Sequence, residues 1–588
     1  MEGHELILAI MWITAATEWH ENLKADVPKY ENESETLQRS QRHHRMFQER
    51  PECLRAETLR KFLIKMRSPL VVSGTALISY LIAAASIIPR TTPASLLITR
   101  APPDPFTTSK CLWSSYLGAF GSNSETQDHI YVLDEDCLLF DSVFDTVEAG
   151  RIVQLPLRED GRIIWVGQAG VDPSLAMKDD VSDDMRKNWE TTADRAMSLI
   201  TSQDQAQHVV SRPGFQHDAL RHNEPLTLLL ASSSSLLIHV PPSFLPIIDT
   251  LLPPHLVPVA LSIESPFQAV PTYLAEQLAN LTAELQFSPQ LDRIVTEGIK
   301  LDDVRRNVRW LTGEAPSGIE SRHSFTEGAI KAAHWLKSKM EATGADCTLH
   351  HFLQGFAPNV ICTYPSSVKS NEHVILSAHY DSRGSFGIPR APGGDDDGSG
   401  SGHVLGVAEA ILDQGVKFDK SVILAFFAGE EQGSLGSQAY AGESASTLRV
   451  FPAHRGAAYL HGQNATVLLE IQADMLAYHV SGEPTQLALP ESIGTPEAAY
   501  LLGNLSQIYS PELLVGRTFA CCSDHQSFLP YGFPATAVTE HNGWIVDPMY
   551  HNSGDLSQRD NYDFGQIVSI AKVTMAAVLT VAGYRTAQ

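Results

Sequence analysis

The sequence predicts an α/β protein, with a mostly parallel central sheet covered by helices on both faces and a smaller N-terminal α/β or α+β domain in front of it. Two observations predict it. After residue 290, nearly continuous apolar runs such as "HVILSAHYD", "SVILAFFAGEE" and "ATVLLEIQADM" alternate with helical stretches. Strands that are apolar at almost every position are buried on both faces, as in a parallel sheet. Residues able to bind metals or move protons end three of these runs, at the carboxyl edge where open α/β sheets place their sites.

Taken in chain order, the 588 residues are too many for one ordinary core. Residues 1–65 are polar, rich in Glu, Arg and His, and read as disordered or as an extension of the gene model. Residues 66–90 read as a signal peptide or signal anchor, because the uncharged run "SPLVVSGTALISYLIAAASII" (68–88) follows Lys61, Lys65 and Arg67. A start at Met66 would make it a cleavable signal; a start at Met1 would make it an uncleaved anchor, the one case in which a membrane is a partner. A third candidate, "LILAIMWITAA", has a poor, acidic flank. Each of these places the C-terminal bulk outside the cytosol, in a secreted or vacuolar protein. Asn280, Asn464 and Asn504 head N-x-S/T sequons, which fits a glycoprotein.

Residues 91–123 have the Pro and Thr content of a linker. Residues 124–290 contain short apolar runs but no cluster of ligand-type side chains, and read as a propeptide or accessory domain that shields the cleft and takes no catalytic part. Residues 291–588 are expected to be the catalytic domain, active without the preceding segment. Near its start, Ser324 and Glu327 read as a capping box, and Ile330, Ala333, Trp335 and Leu336 trace the apolar face of the helix that follows.

Composition excludes some functions. A net charge of −25 argues against a general nucleic-acid binder, which needs a basic face to displace counterions. The seven cysteines are scattered, with no C-x-x-C pair and no disulfide framework, so any zinc must be held by His and carboxylate. Cys521 and Cys522 are adjacent and read as two unpaired thiols packed as small apolar groups, in preference to a vicinal disulfide.

The stretch "APGGDDDGSGSG" sets three aspartates among glycines. Alone, it reads either as a solvated acidic turn or as a loop that turns one aspartate onto a cation. The strand ends bear on the choice. "HVILSA" ends in His379 with Asp381 two residues on, "SVILAFFAG" in Glu430 and Glu431, and "ATVLLEIQA" in Asp474; His551, in "DPMYHNSGD", follows the strand "PATAVTE". Each residue has a dull reading, since carboxylates favour helix starts in any case. Three successive strands ending in such residues at one rim favour a metal site, and His with carboxylate and no thiol suits zinc.

"SAHYDS", "APGGDDDGSG", "AFFAGEEQGSLGSQAYA", "CCSDHQSFLPYGFPA" and "MYHNSGD" resemble, in order and spacing, the motifs of secreted co-catalytic zinc aminopeptidases, a leucyl aminopeptidase-like metallopeptidase family that also holds glutamate carboxypeptidase and the glutaminyl cyclases. The resemblance spans about residues 291–585. It implies two zinc ions: His379 and Asp474 on one, Glu431 and His551 on the other, Asp396 bridging, Glu430 as general base and Asp381 orienting His379. Many relatives have a cysteine where this chain has Thr518, so their local disulfide is not expected here.

The expected activity is hydrolysis of the N-terminal peptide bond of peptides and proteins, with Met475, Phe519 and Tyr550 as candidates for an apolar pocket by proximity to the motifs. The alternatives are a carboxypeptidase or a single-zinc glutaminyl cyclase on the same fold, or a non-catalytic ectodomain. No arginine cluster for a substrate carboxylate stands beside the motifs, the Asp triplet departs from the cyclases, and an ectodomain should have lost ligands that are all present here.

Overall fold

The computed structural model describes residues 95–102, 110–122, 127–133, 150–155, 161–176, 226–232, 235–263, 268–368, 370–385, 388, 390–442 and 460–586. The polar N-terminal stretch and the candidate signal or anchor lie outside these residues.

Six strands form the central sheet: β1 (Asp346–His350), β2 (Asn359–Tyr364), β3 (Glu372–His379), β4 (Ser421–Phe427), β5 (Thr466–Ala473) and β6 (Ala535–Val538), in the spatial order β6-β5-β3-β4-β2-β1. β3 runs parallel to β4 and β5, and β5 to β6, while β2 pairs antiparallel with both β4 and β1. The chain leaves β3 towards β4 on one side and β5 towards β6 on the other. Connections that part in this way open a crevice at the carboxyl ends of the two neighbouring strands.

Alternation along the strands shows why both faces are covered. Val374, Leu376, Val422, Leu424 and Phe426 join one large core with the helices α1 (Glu327–Ala342), α2 (Gly398–Asp413) and α4 (Phe564–Ala582). Ile375, Ile423, Ala425 and Phe427 face the other way, against Tyr440 of the short helix α3 (Leu435–Ala441) and against Phe528, Tyr531 and Phe533. α4 is long and apolar enough to cross a membrane by length and composition, but most of it is buried in this core. α1 begins at Glu327, yet its N-cap is Thr326, whose hydroxyl accepts from Ala329 N–H. Ser324, expected as the cap, bonds instead to Asp381 beneath the site. On the expected apolar face Ala333 and Leu336 are buried, and Trp335 stacks on Trp310 at 4.0 Å. Cys347 and Cys362 stand opposite each other on β1 and β2 and form a disulfide that the cysteine spacing did not suggest.

The described part of the N-terminal region is built from two four-stranded antiparallel sheets. One orders Tyr116–Phe120, Asp128–Leu133, Ser95–Thr99 and Arg151–Gln154; the other orders Thr227–Ala231, Ser235–Val240, Arg162–Gln168 and Leu256–Ala260. Ser95–Thr99 is a central strand whose five residues are all buried, so residues 91–123 are not a linker throughout. Their Pro and Thr conceal "SLLIT", which is β-branched and apolar enough to pair on both edges. The second sheet is covered on both faces. Ile163, Trp165, Leu237 and Val259 pack with the first sheet, and Ile164, Val166, Leu236 and Ile238 belong to the same apolar cluster as α2 and α4.

Candidate metal centre

The crevice is built from four loops. β3 delivers His379 and β5 delivers Asp474, the residue after its last. β4 is followed by Ala428 and Gly429, then Glu430 and Glu431; the loop after β6 brings His551. Asp396 lies on the loop that starts α2. Ligand-type atoms of His379, Asp396 and Asp474 come within 4.8 Å of one another, and so do those of Asp396, Glu431 and His551. Asp396 belongs to both groups: one of its oxygens is 3.1 Å from His379 Nε2 and the other 3.2 Å from His551 Nε2. His379 Nε2 is 3.6 Å from Asp474, and His551 Nε2 is 3.2 Å from Glu431.

Every member of the acidic triplet is buried, and none faces water. Asp395 accepts the backbone N–H groups of Leu476, Ala477 and Tyr478, fixing the turn after β5. Asp397 caps α2 through Gly400 N–H and also receives the N–H groups of His379 and Met475. Only Asp396 is aimed at the histidines. The glycines are required by close approach: a Cβ on Gly400 would lie 2.2 Å from the Ala473 carbonyl oxygen, and Gly393 has φ +55 with the Asp396 carbonyl oxygen 2.4 Å from where its Cβ would be.

Asp381 sits where its expected role requires, with its carboxylate 3.5 Å and its carbonyl 3.2 Å from His379 Nδ1. The same carboxylate accepts from the Ser324 hydroxyl and from the backbone N–H groups of Glu430 and Glu431, so it also holds the turn that presents both glutamates.

Electrostatics follow from crowding carboxylates round two imidazoles in a buried place. Burial disfavours charge on His379, yet Asp474, Asp381 and Asp396 hold its pKa well above the usual histidine range. Burial likewise opposes ionisation of Asp396, and the two histidines overcome it and pull its pKa down. Glu430 is pushed well above the carboxylate range, first by burial and then by Glu431 and Asp524. Glu431 Oε1 is buried without a hydrogen-bond partner. Two histidines and three carboxylates, one of them with an orphaned oxygen, converge and fit metal cations in the centre of the group.

The small cavity above these residues, about 60 Å³, is lined by Met475 and Tyr550 as expected, together with Val257, Ile545 and the pair Cys521 and Cys522. Phe519 is not among its lining residues; its ring turns onto Trp544, 4.8 Å away between centroids. Cys521 and Cys522 are joined in a vicinal disulfide, not held as two thiols. Met475, Cys522 and His551 all have positive φ (52, 73 and 51), so three non-glycine residues in the left-handed region gather on one cavity.

Residues 359–578 match the family model described as Peptidase family M28. The match takes in all five candidate ligands, from His379 to His551. Leucine aminopeptidase 1 of Sclerotinia sclerotiorum is 26% identical over 301 residues, 48% of this chain and 73% of that relative. Leucine aminopeptidase 1 of Metarhizium robertsii is 28% identical over 273 residues, 42% of this chain and 63% of that relative. Among solved structures, the Legionella pneumophila LapA aminopeptidase is 20% identical with a TM-score of 0.48, over 62% of this chain and 96% of its own.

Four further residues surround the site; Arg322, Arg383 and Asp249 lie outside the motifs, and Asp555 ends "MYHNSGD" without having been given a role. Arg322 is fully buried and donates to the carbonyls of Tyr380, Pro392 and Gly393, which anchors the loop of the Asp triplet. Asp555 accepts the backbone N–H groups of Asp395 and Asp396. Arg383 stands 3.0 Å from His551 Nδ1 and donates to the carbonyls of Leu252, Pro253 and Leu256. Asp249, in the N-terminal region, pairs with His323. The one available hint for Asp249 was a lone acid inside the apolar run "FLPIIDTLLPP", since a charge in such a run must find a buried partner.

Proposed function

We propose that this protein is a zinc-dependent aminopeptidase that hydrolyses the N-terminal peptide bond of peptides and proteins, with a preference for apolar N-terminal residues. The observation that carries the reading is the pair of His–carboxylate groups sharing Asp396, on the floor of a cavity whose lining includes no Lys or Arg among the described residues. The reading takes two zinc ions, one per group: His379 and Asp474 would hold the first, Glu431 and His551 the second, with Asp396 shared between them.

Zinc, when bound, brings the pKa of water towards neutrality and polarises a carbonyl. Glu430 lines the same cavity and is the general base: its carboxylate takes a proton from the attacking water as the new C–O bond forms, and returns it to the amine nitrogen as the C–N bond breaks. Asp381 fixes His379 on one side and the Glu430–Glu431 turn on the other, so acid–base group and ligands keep one geometry. No Lys or Arg lines the cavity to receive a substrate's C-terminal carboxylate, which argues for the amino end. The apolar wall of Met475, Ile545 and Tyr550 favours an apolar first side chain. Export from the cytosol belongs to the same reading, and the sequon residues Asn280, Asn464 and Asn504 are all exposed.

Elemental analysis of the purified protein, together with a panel of aminoacyl anilides, tests it. Near two zinc ions per chain, turnover of leucyl and phenylalanyl anilides, and none once the α-amine is acetylated are the expected results. Full activity at one zinc per chain, or cyclisation of N-terminal glutamine in place of hydrolysis, would move the assignment to the cyclase-like alternative.

A further inference from the structure

The region read from sequence as a propeptide or accessory domain without a catalytic role reaches the candidate metal centre. Three contacts point the same way. First, His551 turns Nε2 towards Asp396 and Glu431; when that nitrogen holds a cation the ring proton is on Nδ1, which lies 2.8 Å from the carbonyl oxygen of Pro254, just before the strand Leu256–Ala260, while the neighbouring Arg383 Nη1 donates to the Leu256 carbonyl. Arg383 clasps the same turn through the carbonyls of Leu252, Pro253 and Leu256, which fixes where the Pro254 carbonyl points. A carbonyl on the far nitrogen sets the tautomer and ring angle of a histidine ligand.

Second, Val257 and Pro258 line the cavity itself. Val257 packs in one apolar cluster with Trp165 of the N-terminal sheet and with Cys522, Ile545 and Tyr550 of the cavity wall. Third, Ile545 is held by that region through paired backbone bonds, Ile545 N–H to the Gly170 carbonyl and Asp172 N–H to the Ile545 carbonyl.

We infer that the N-terminal sheets, the strands Arg162–Gln168 and Leu256–Ala260 in particular, are a permanent part of the active enzyme: the Pro254 carbonyl positions the metal ligand His551, and Val257 with Pro258 walls the pocket that selects the first side chain. The inference rests on the aminopeptidase reading, and two of its readouts do not depend on turnover.

The test uses the full chain. A recognition site for a specific protease replaces residues 264–267, the link between the N-terminal sheets and the helix Thr272–Ala283. Before cutting, the chain is expected to hold its zinc and hydrolyse anilides; after cutting, the two pieces should elute as one complex with zinc content and kcat/KM unchanged. Departure of the N-terminal piece with zinc retained and activity raised would overturn the inference in favour of an inhibitory propeptide.

Two variants then separate positioning from scaffolding. Arg383→Gln should lower zinc affinity about 10–100-fold in competition with a chelator while the circular dichroism spectrum stays the same; unchanged affinity would remove the positioning role. Val257→Trp should lower kcat/KM for leucyl anilide at least 10-fold more than for alanyl anilide with zinc content unaltered. Equal effects on both substrates would remove the pocket role. A chain that binds zinc with the expected Arg383 dependence yet cleaves no anilide would instead count against the proposed function, leaving the positioning role standing.

Discussion

Asp249, on a 3-10 turn of the N-terminal region, meets His323, just before the helix α1, with both carboxylate oxygens, 3.2 and 3.0 Å from Nε2, and both residues are buried. Burial opposes the charge on each, but each holds the other in its ionised form: the histidine pKa is raised and the aspartate pKa lowered. Removing one partner of such a pair leaves the other charge uncompensated. Asp249→Ala is therefore expected to destabilise the chain by about 3–5 kcal/mol, read as a lower midpoint in denaturant unfolding. A loss no greater than that of an ordinary surface substitution would mean the pair does not hold the two parts together.

The two neighbouring glutamates should fail in different ways. Glu430→Gln keeps the shape of the side chain and is expected to retain zinc while turnover falls by about 10²–10⁴-fold. Glu431→Ala deletes the carboxylate beside His551 and should lose zinc during dialysis. Near-normal rates for Glu430→Gln would assign the proton transfer to another group.

Asp555 touches no candidate ligand side chain; it holds the backbone of the loop that carries one. Its carboxylate receives Asp395 N–H and Asp396 N–H at 2.9 to 3.0 Å. Asp555→Leu should weaken zinc binding about 10–100-fold, as expected when a support behind a metal site is lost. Competition with a chelating dye measures it, and unchanged affinity would show that Arg322 alone fixes the loop.

Acidification should unfold the protein partly through His403, which lies on α2, bonds Thr574 of α4 and is fully buried. Burial pushes its pKa from the ordinary 6.5 down to about 3. In the sign that follows, the unfolded chain binds the proton more readily between these values, so the contribution of neutral His403 is complete above pH 6.5 and is lost as pH falls towards 3. His403→Gln, whose amide still reaches Thr574, should lose less thermal stability than the parent between pH 6.5 and 4. Parallel curves for the two chains would show that other groups govern the acid limb.

The sheet and its rim were legible because their signals are local. A strand buried on both faces must be apolar throughout, and the residue at its end reaches the crevice, so His379, Glu430, Glu431 and Asp474 could be placed from position alone. Which aspartate of the triplet turns inward came only from the family resemblance, and what the other two do came from neither. That Asp395 and Asp397 are buried on backbone N–H groups follows from the path of β5 and α2 in three dimensions.

By itself, then, the sequence determined the chemical class of the site: a set of His and carboxylate side chains at one sheet edge, fixed by spacing along strands and helices. Tertiary structure alone decided what closes and steadies it. A backbone carbonyl such as that of Pro254 has no signature in the amino-acid sequence, because every residue has one, and 297 positions separate it from His551. Val257 likewise reads as any strand valine until folding brings it into one apolar cluster, and onto one cavity, with Cys522, Ile545 and Tyr550. Periodicity reports which face of an element is buried, but not which distant element buries it.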